Sequence, residues 1–193
     1  MVLNKDNIDY INSDIQEIRI KICNAFLITI SILAVPALIA SLYRTALIGW
    51  QPAIYSQIIL AISLWGFTFF RDRIAYYYLA GFIVMMFFII GIGGIYQFGL
   101  VAGGISFFVA TTPIATLFFG EKIGISTFII FFISAVVLGF LVVTGNLTNQ
   151  LDLSTYSVAV SSWSTSIFSW SLTSAALAVS FYVFNSKLIN SLE

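Results

Sequence analysis

Few residues in this chain are able to do chemistry. It has no histidine and a single cysteine, Cys23. Imidazole or paired-thiolate metal centres, haem ligation by histidine, disulfides and Cys–His catalysis all need residues that are missing. No metal and no other cofactor is therefore expected. Asp72 and Glu121 stand beside basic residues, in Arg71-Asp72-Arg73 and Glu121-Lys122, where each balances charge. Neither has a second carboxylate placed for acid–base hydrolysis. The segment has no catalytic set and is not expected to be an enzyme by itself. Its balance of 8 basic against 8 acidic residues gives no reason to expect nucleic acid.

What remains is a small group of polar and aromatic residues. Arg44 follows Tyr43 and precedes Gly49-Trp50-Gln51-Pro52. A guanidinium between aromatic walls suits an anionic or carbonyl-bearing ligand. The simpler reading is an arginine snorkelling at a helix end beside an interfacial tryptophan. Tyr96, Gln97, Tyr156 and Trp163 are expected at the same side of the membrane. Arg44, Trp50, Gln51, Tyr96, Gln97, Tyr156 and Trp163 form the candidate ligand-binding set.

The elements that must position these residues are six long apolar runs. They fall at about Cys23–Tyr43, Ile54–Phe70, Ile74–Ile95, Leu100–Phe119, Ile123–Gly145 and Val158–Phe184. Each is about as long as a helix that crosses a hydrocarbon core of about 30 Å. The chain is 60% hydrophobic and 8% charged. The expected fold is an all-α integral membrane protein, a bundle of six transmembrane helices in a bacterial inner membrane with lipid around it. Continuous runs of this length, without strict alternation, exclude a β-barrel.

Charge sets the orientation. With the amino terminus inside, Lys5, Arg19, Lys21, Arg71, Arg73, Lys122 and Lys187 lie on the cytoplasmic side, and Arg44 alone lies outside. That asymmetry predicts both termini in the cytoplasm. Residues 1–21 are expected as an interfacial helix, with Ile8, Ile11, Ile15 and Ile18 on one face and Ser13 and Gln16 available as a capping box. Residues 22–186 make the transmembrane domain, and 187–193 begin a cytoplasmic connector helix.

Three local features qualify the bundle. Pro36 and Pro113 interrupt the hydrogen-bond ladders of the first and fourth spans. The stretch Gly91–Gly99 is expected as a tight outer hairpin with small-residue packing; it lacks the Lys and Ser/Thr of a phosphate loop. The sixth span carries a seam of small residues, Ser162, Ser166, Ser169, Thr173, Ala176 and Ser180, spaced as a heptad. Such a seam permits close helix contact, either inside the bundle or between two copies. A bulkier seam, Trp163, Ile167, Trp170, Leu177, Phe181 and Phe184, lies about 100° round the helix. Phe184, Leu188 and Leu192 continue the apolar spacing beyond the membrane with no cap or breaker, so a coiled-coil connector in a longer protein is expected.

At this point the chain resembles a known group. The six-span layout, Tyr43-Arg44 with Gly49-Trp50-Gln51-Pro52, Arg71-Asp72-Arg73, the Gly91–Gly99 stretch and Gly120-Glu121-Lys122 with Gly124 are similar to the amino-terminal membrane sensor modules of bacterial sensor histidine kinases and diguanylate cyclases. The resemblance implies a signal-input domain that homodimerises through helix six and its connector and feeds a cytoplasmic kinase or cyclase domain. It implies a small-molecule or membrane-derived signal passed along Ser162, Ser166, Ser169, Thr173, Ser180, Phe184 and Leu188. The alternative is a substrate-binding membrane subunit of a vitamin-type transporter, which has a similar size and span number. A reading frame that ends near residue 193 would favour the transporter, and one that runs on into an output domain the sensor.

The charge count yields a direct test. Reporter fusions after residue 72 are expected to behave as cytoplasmic and fusions after residue 150 as periplasmic; the opposite pattern reverses the topology.

Overall fold

The computed structural model describes residues 5–99, 103–146, 160, 162–173 and 177. Among these the chain is helical throughout, apart from short turns. Helix α1 spans Lys5–Ile48, α2 Pro52–Phe69, α3 Tyr76–Phe98, α4 Ile105–Phe119 and α5 Glu121–Val143. A 3-10 turn at Arg71–Arg73 joins α2 to α3. Residues 162–173 form a further helical stretch, α6. Four segments are long and apolar enough to cross a membrane: Gln16–Ala46, Pro52–Phe69, Tyr76–Phe98 and Glu121–Val143. Helix α4 is apolar but shorter, at 15 residues.

Helix α1 is 44 residues long, about 66 Å at 1.5 Å per residue. No break separates the amino-terminal stretch from the first span, and the helix passes through Ser13 and Gln16 without starting anew. Pro36 lies inside it. One turn earlier the Trp65 indole donates to the carbonyl of Ser31 at 3.1 Å, and Ser31 and Thr68 share a hydroxyl bond of 2.5 Å. Side chains of α2 thus make polar contacts with α1 close to the proline. Gly49, with φ +72°, ends α1, and its N–H reaches Thr45 O at 2.8 Å. Pro52 then opens α2, where its missing N–H costs nothing.

The bundle is assembled mainly through neighbours in sequence. Helix α4 packs most extensively on α3 and α5, and α1 packs on α2 and α3. Helices α3 and α4 are antiparallel, since Tyr76 at the start of α3 donates its hydroxyl to Phe118 O at the end of α4 at 2.7 Å. The core gathers Phe26 from α1, Phe87 from α3, and Phe107 and Phe118 from α4. Their ring centroids lie 5.1–5.7 Å apart in tilted and edge-on pairs. Helix α5 is peripheral: of its residues only Gly124 is buried.

The glycine-rich stretch proves to be mostly helix. Helix α3 continues to Phe98, so Gly91, Gly93 and Gly94 belong to its last turns. Their use is packing. A Cβ on Gly91 would sit 2.6 Å from Phe108 Cβ and 2.7 Å from its Cα. Nothing lies within 4 Å of the corresponding point on Gly93.

That contrast generates a test on one helix. Gly91→Ala must push α4 away from α3 and is expected to cost about 1–3 kcal/mol, the usual penalty of overpacking. Gly93→Ala is expected to be neutral or slightly stabilising, read as thermal stability of the purified protein.

Candidate functional site

A cavity of about 90 Å³, partly open on one side, lies between α1, α2, α3, α4 and α6. Most of its wall is apolar, including Ile30, Leu64, Met86 and Leu172. It exists because several lining residues are small: Ala34 and Ala37 on α1, Ala61 on α2 and Ser169 on α6. Four polar side chains reach it: Ser41, Gln57, Thr165 and Ser169.

These polar groups are joined to Arg44 by a hydrogen-bond chain. Arg44 Nη2 donates to Ser41 Oγ at 3.2 Å, and Ser41 Oγ donates to Gln57 Oε1. A guanidinium only donates, so Ser41 accepts from Arg44. The Gln57 amide is placed with its oxygen on Ser41 and its NH₂ group on the other side. Among the described residues no acceptor takes those N–H bonds.

Arg44 does not snorkel outward. It is 2% exposed, and its guanidinium carbon lies 4.5 Å from the centre of the Phe98 ring. This cation–π contact holds the end of α1 against the end of α3. The sequence places Trp50, Gln51, Tyr96 and Gln97 at the same end of the bundle. Trp50 stacks on Tyr55 with ring centroids 5.3 Å apart, Gln51 caps α2 through its backbone carbonyl, and Tyr96 is exposed. Trp163 lies near the beginning of α6 with its ring exposed. Among the described candidate ligand residues, Arg44 is tied to the cavity through Ser41; Tyr156 lies outside the described residues. Ser41 and Gln57 were not singled out in the sequence. Their signal was available, as neutral polar side chains inside apolar runs.

Helix α6 presents its small seam inward. Ser162, Ser169 and Thr173 are buried, and Thr173 Oγ1 donates to Ser106 Oγ of α4 at 3.4 Å. A Cβ on Gly103 would meet Ser166 Cα at 2.8 Å. The two contacts run in the same direction along both helices, so α4 and α6 are parallel. Trp163, Ile167 and Trp170 face outward, each about half exposed. Between 162 and 173 the small seam is therefore a packing surface within one chain, and the bulky seam is the outer face. Ser180, Phe184 and Leu188 lie outside the described residues.

The described residues thus form a helical bundle with four membrane-length apolar helices and a cavity against the last described helix. A family model, MASE11, matches residues 17–188, and the chain belongs to that family of membrane-associated sensors, which occur in signalling proteins. No curated protein and no solved structure matches the chain.

The seam assignment can be read by crosslinking. With Cys23→Ser as background, Ser106→Cys with Thr173→Cys is expected to give a disulfide within one chain. Covalent dimers from that pair would instead put the small seam between two copies.

Proposed function

We propose that this domain is the signal-input module of a bacterial sensor histidine kinase or a related signalling protein. It crosses the inner membrane six times with both termini in the cytoplasm, and it hands its signal to a cytoplasmic output domain through helix six. The observation that carries this reading is the composition of the cavity wall. Thr165, Ser169 and Leu172 of α6 line it together with residues of α1 and α2. An occupant would touch the exit helix directly, with no intermediary element. The other support is membership of a family of membrane-associated sensors.

The contact that would move is the one between α6 and α4. It includes small residues, Gly103 against Ser166 and Ser106 against Thr173. Hydroxyl bonds between membrane helices are worth about 1 kcal/mol or less each. A ligand with a modest preference for one arrangement is enough to shift such an equilibrium. In the full-length protein the shift would pass through Phe184 and Leu188 into a connector that pairs two copies, giving a homodimeric output.

The connector provides the test. In the full-length protein, inserting one residue after Lys187 rotates everything downstream by about 100° and is expected to lock or invert output. Inserting seven residues restores the heptad phase and is expected to return a normal response. Equal activity of the parent and both insertions would remove helix six from the signalling path.

A further inference from the structure

We infer that the cavity binds the head of a single-chain amphiphile, an acyl chain whose carbonyl or carboxylate oxygen accepts from the Gln57 amide. The inference rests on the reading of this bundle as a membrane receptor and names the chemistry of its ligand.

Three observations converge. The first is the donor. Ser41 accepts from Arg44 and donates to the Gln57 oxygen, which leaves the Gln57 NH₂ as the end turned away from them. Gln57 lines the cavity. An amide nitrogen offers hydrogens and takes none, so the matching ligand atom is an acceptor oxygen. In a mostly apolar wall that single requirement sets orientation, which is how apolar pockets obtain specificity.

The second is the axis. On α1 the lining runs from Ser41 at the polar end to Ile30, 11 residues away, or about 16 Å along the helix. On α2 it runs from Gln57 to Leu64, and on α6 from Thr165 to Leu172. Each of the three helices thus goes from a polar residue at one end to an apolar residue at the other. A ligand that matches this gradient has a polar head and an apolar tail.

The third is the depth and width. Gln57 lies five residues into α2 and Ser41 seven before the end of α1, so the head site is about 8–10 Å below the helix ends. The cavity of about 90 Å³ is small and partly open, which suits a polar group and the first methylenes of one chain. The partly open side lets a longer tail continue along the bundle surface.

The same chemistry has two sources in a membrane, a free fatty acid and the ester-linked chain of a lysophospholipid. Native mass spectrometry of the protein in phosphatidylcholine nanodiscs separates them, with dodecanoic acid, dodecanoyl lysophosphatidylcholine and dodecane as probes. One saturable equivalent of the acid or of the lysolipid is expected, with dodecane binding at least about fivefold more weakly, the scale of one lost hydrogen bond. Gln57→Leu is expected to lower the affinity of the oxygen-bearing probe by about the same factor, and Ala61→Trp, which fills the slot, to abolish its binding. A preference for the acid assigns the free source, and a preference for the lysolipid the ester source; both support the inference. It is overturned if neither oxygen-bearing probe saturates, if dodecane binds as well as they do, or if Ala61→Trp leaves binding intact. The dodecane comparison uses the unmodified protein and needs no variant to fold. Because the readout is occupancy and not output, a failed insertion test of helix six leaves this result standing, and the reverse also holds.

Discussion

The contact on which this bundle depends is the close approach of α3 and α4 at Gly91 and Phe108. In a membrane, burying an apolar side chain against another helix gains little over leaving it against lipid, so association rests on packing and on a few polar bonds. A glycine with no room for a methyl group lets two backbones come as near as helices can. Gly104 repeats the contact from the other side, where a Cβ would meet Ile90 O at 3.1 Å and Gly94 Cα at 3.3 Å. With that pair fixed, the Phe26, Phe87, Phe107 and Phe118 cluster can fill the space between α1 and the pair. The Tyr76 hydroxyl closes the other end on Phe118 O.

Tight packing in one place leaves slack in another. On the α1–α2 side of the core the lining mixes small residues, Ala34, Ala37, Ser41 and Ala61, with Ile30 and leucines, and Phe107 is the phenylalanine that reaches it. Small side chains at helix crossings normally bring helices together, as at Gly91. Along α1 the same residue types instead leave a slot. Pro36 lies among them, between Ala34 and Ala37, and the hydrogen-bonding side chains near its turn, Trp65 and Thr68, come from α2. The cavity and the proline-bearing turn are thus two consequences of one stretch of sequence, and α2 contributes to both.

How much of this was legible depended on whether the signal was local. The short link through Arg71-Asp72-Arg73 followed from its charge in the sequence. The membrane character followed from the length of the apolar runs, although only four helices among the described residues meet the length for a span. Gly91–Gly99 was read as a hairpin because glycines mark turns; a glycine that lets helices touch looks the same in one dimension. The small seam of α6 raised the same ambiguity, since a serine heptad fits a dimer and a bundle equally. Only the location of Gly103 and Ser106 opposite Ser166 and Thr173 separates the two. Ser41 and Gln57 stand alone inside apolar runs, away from the polar and aromatic clusters at the run ends, so the sequence does not mark them as a pair.

The position of Arg44 shows why that omission mattered. A buried guanidinium over an aromatic ring has a structural role, joining α1 to α3 through Phe98. Read alone, it is a clamp. Read with Ser41, it is also the start of a polar chain, in which Ser41 accepts from Arg44 and donates to the Gln57 oxygen. The chain Arg44–Ser41–Gln57 therefore carries direction from the helix end to the cavity without placing the charge in the cavity itself. Bringing the guanidinium into an apolar slot would carry the desolvation cost of an ion. Relaying its preference through two neutral groups leaves the cavity uncharged and still selective for an acceptor. For the receptor proposed above, that arrangement would set a polar contact below the helix ends, on the wall that α6 shares with α1 and α2.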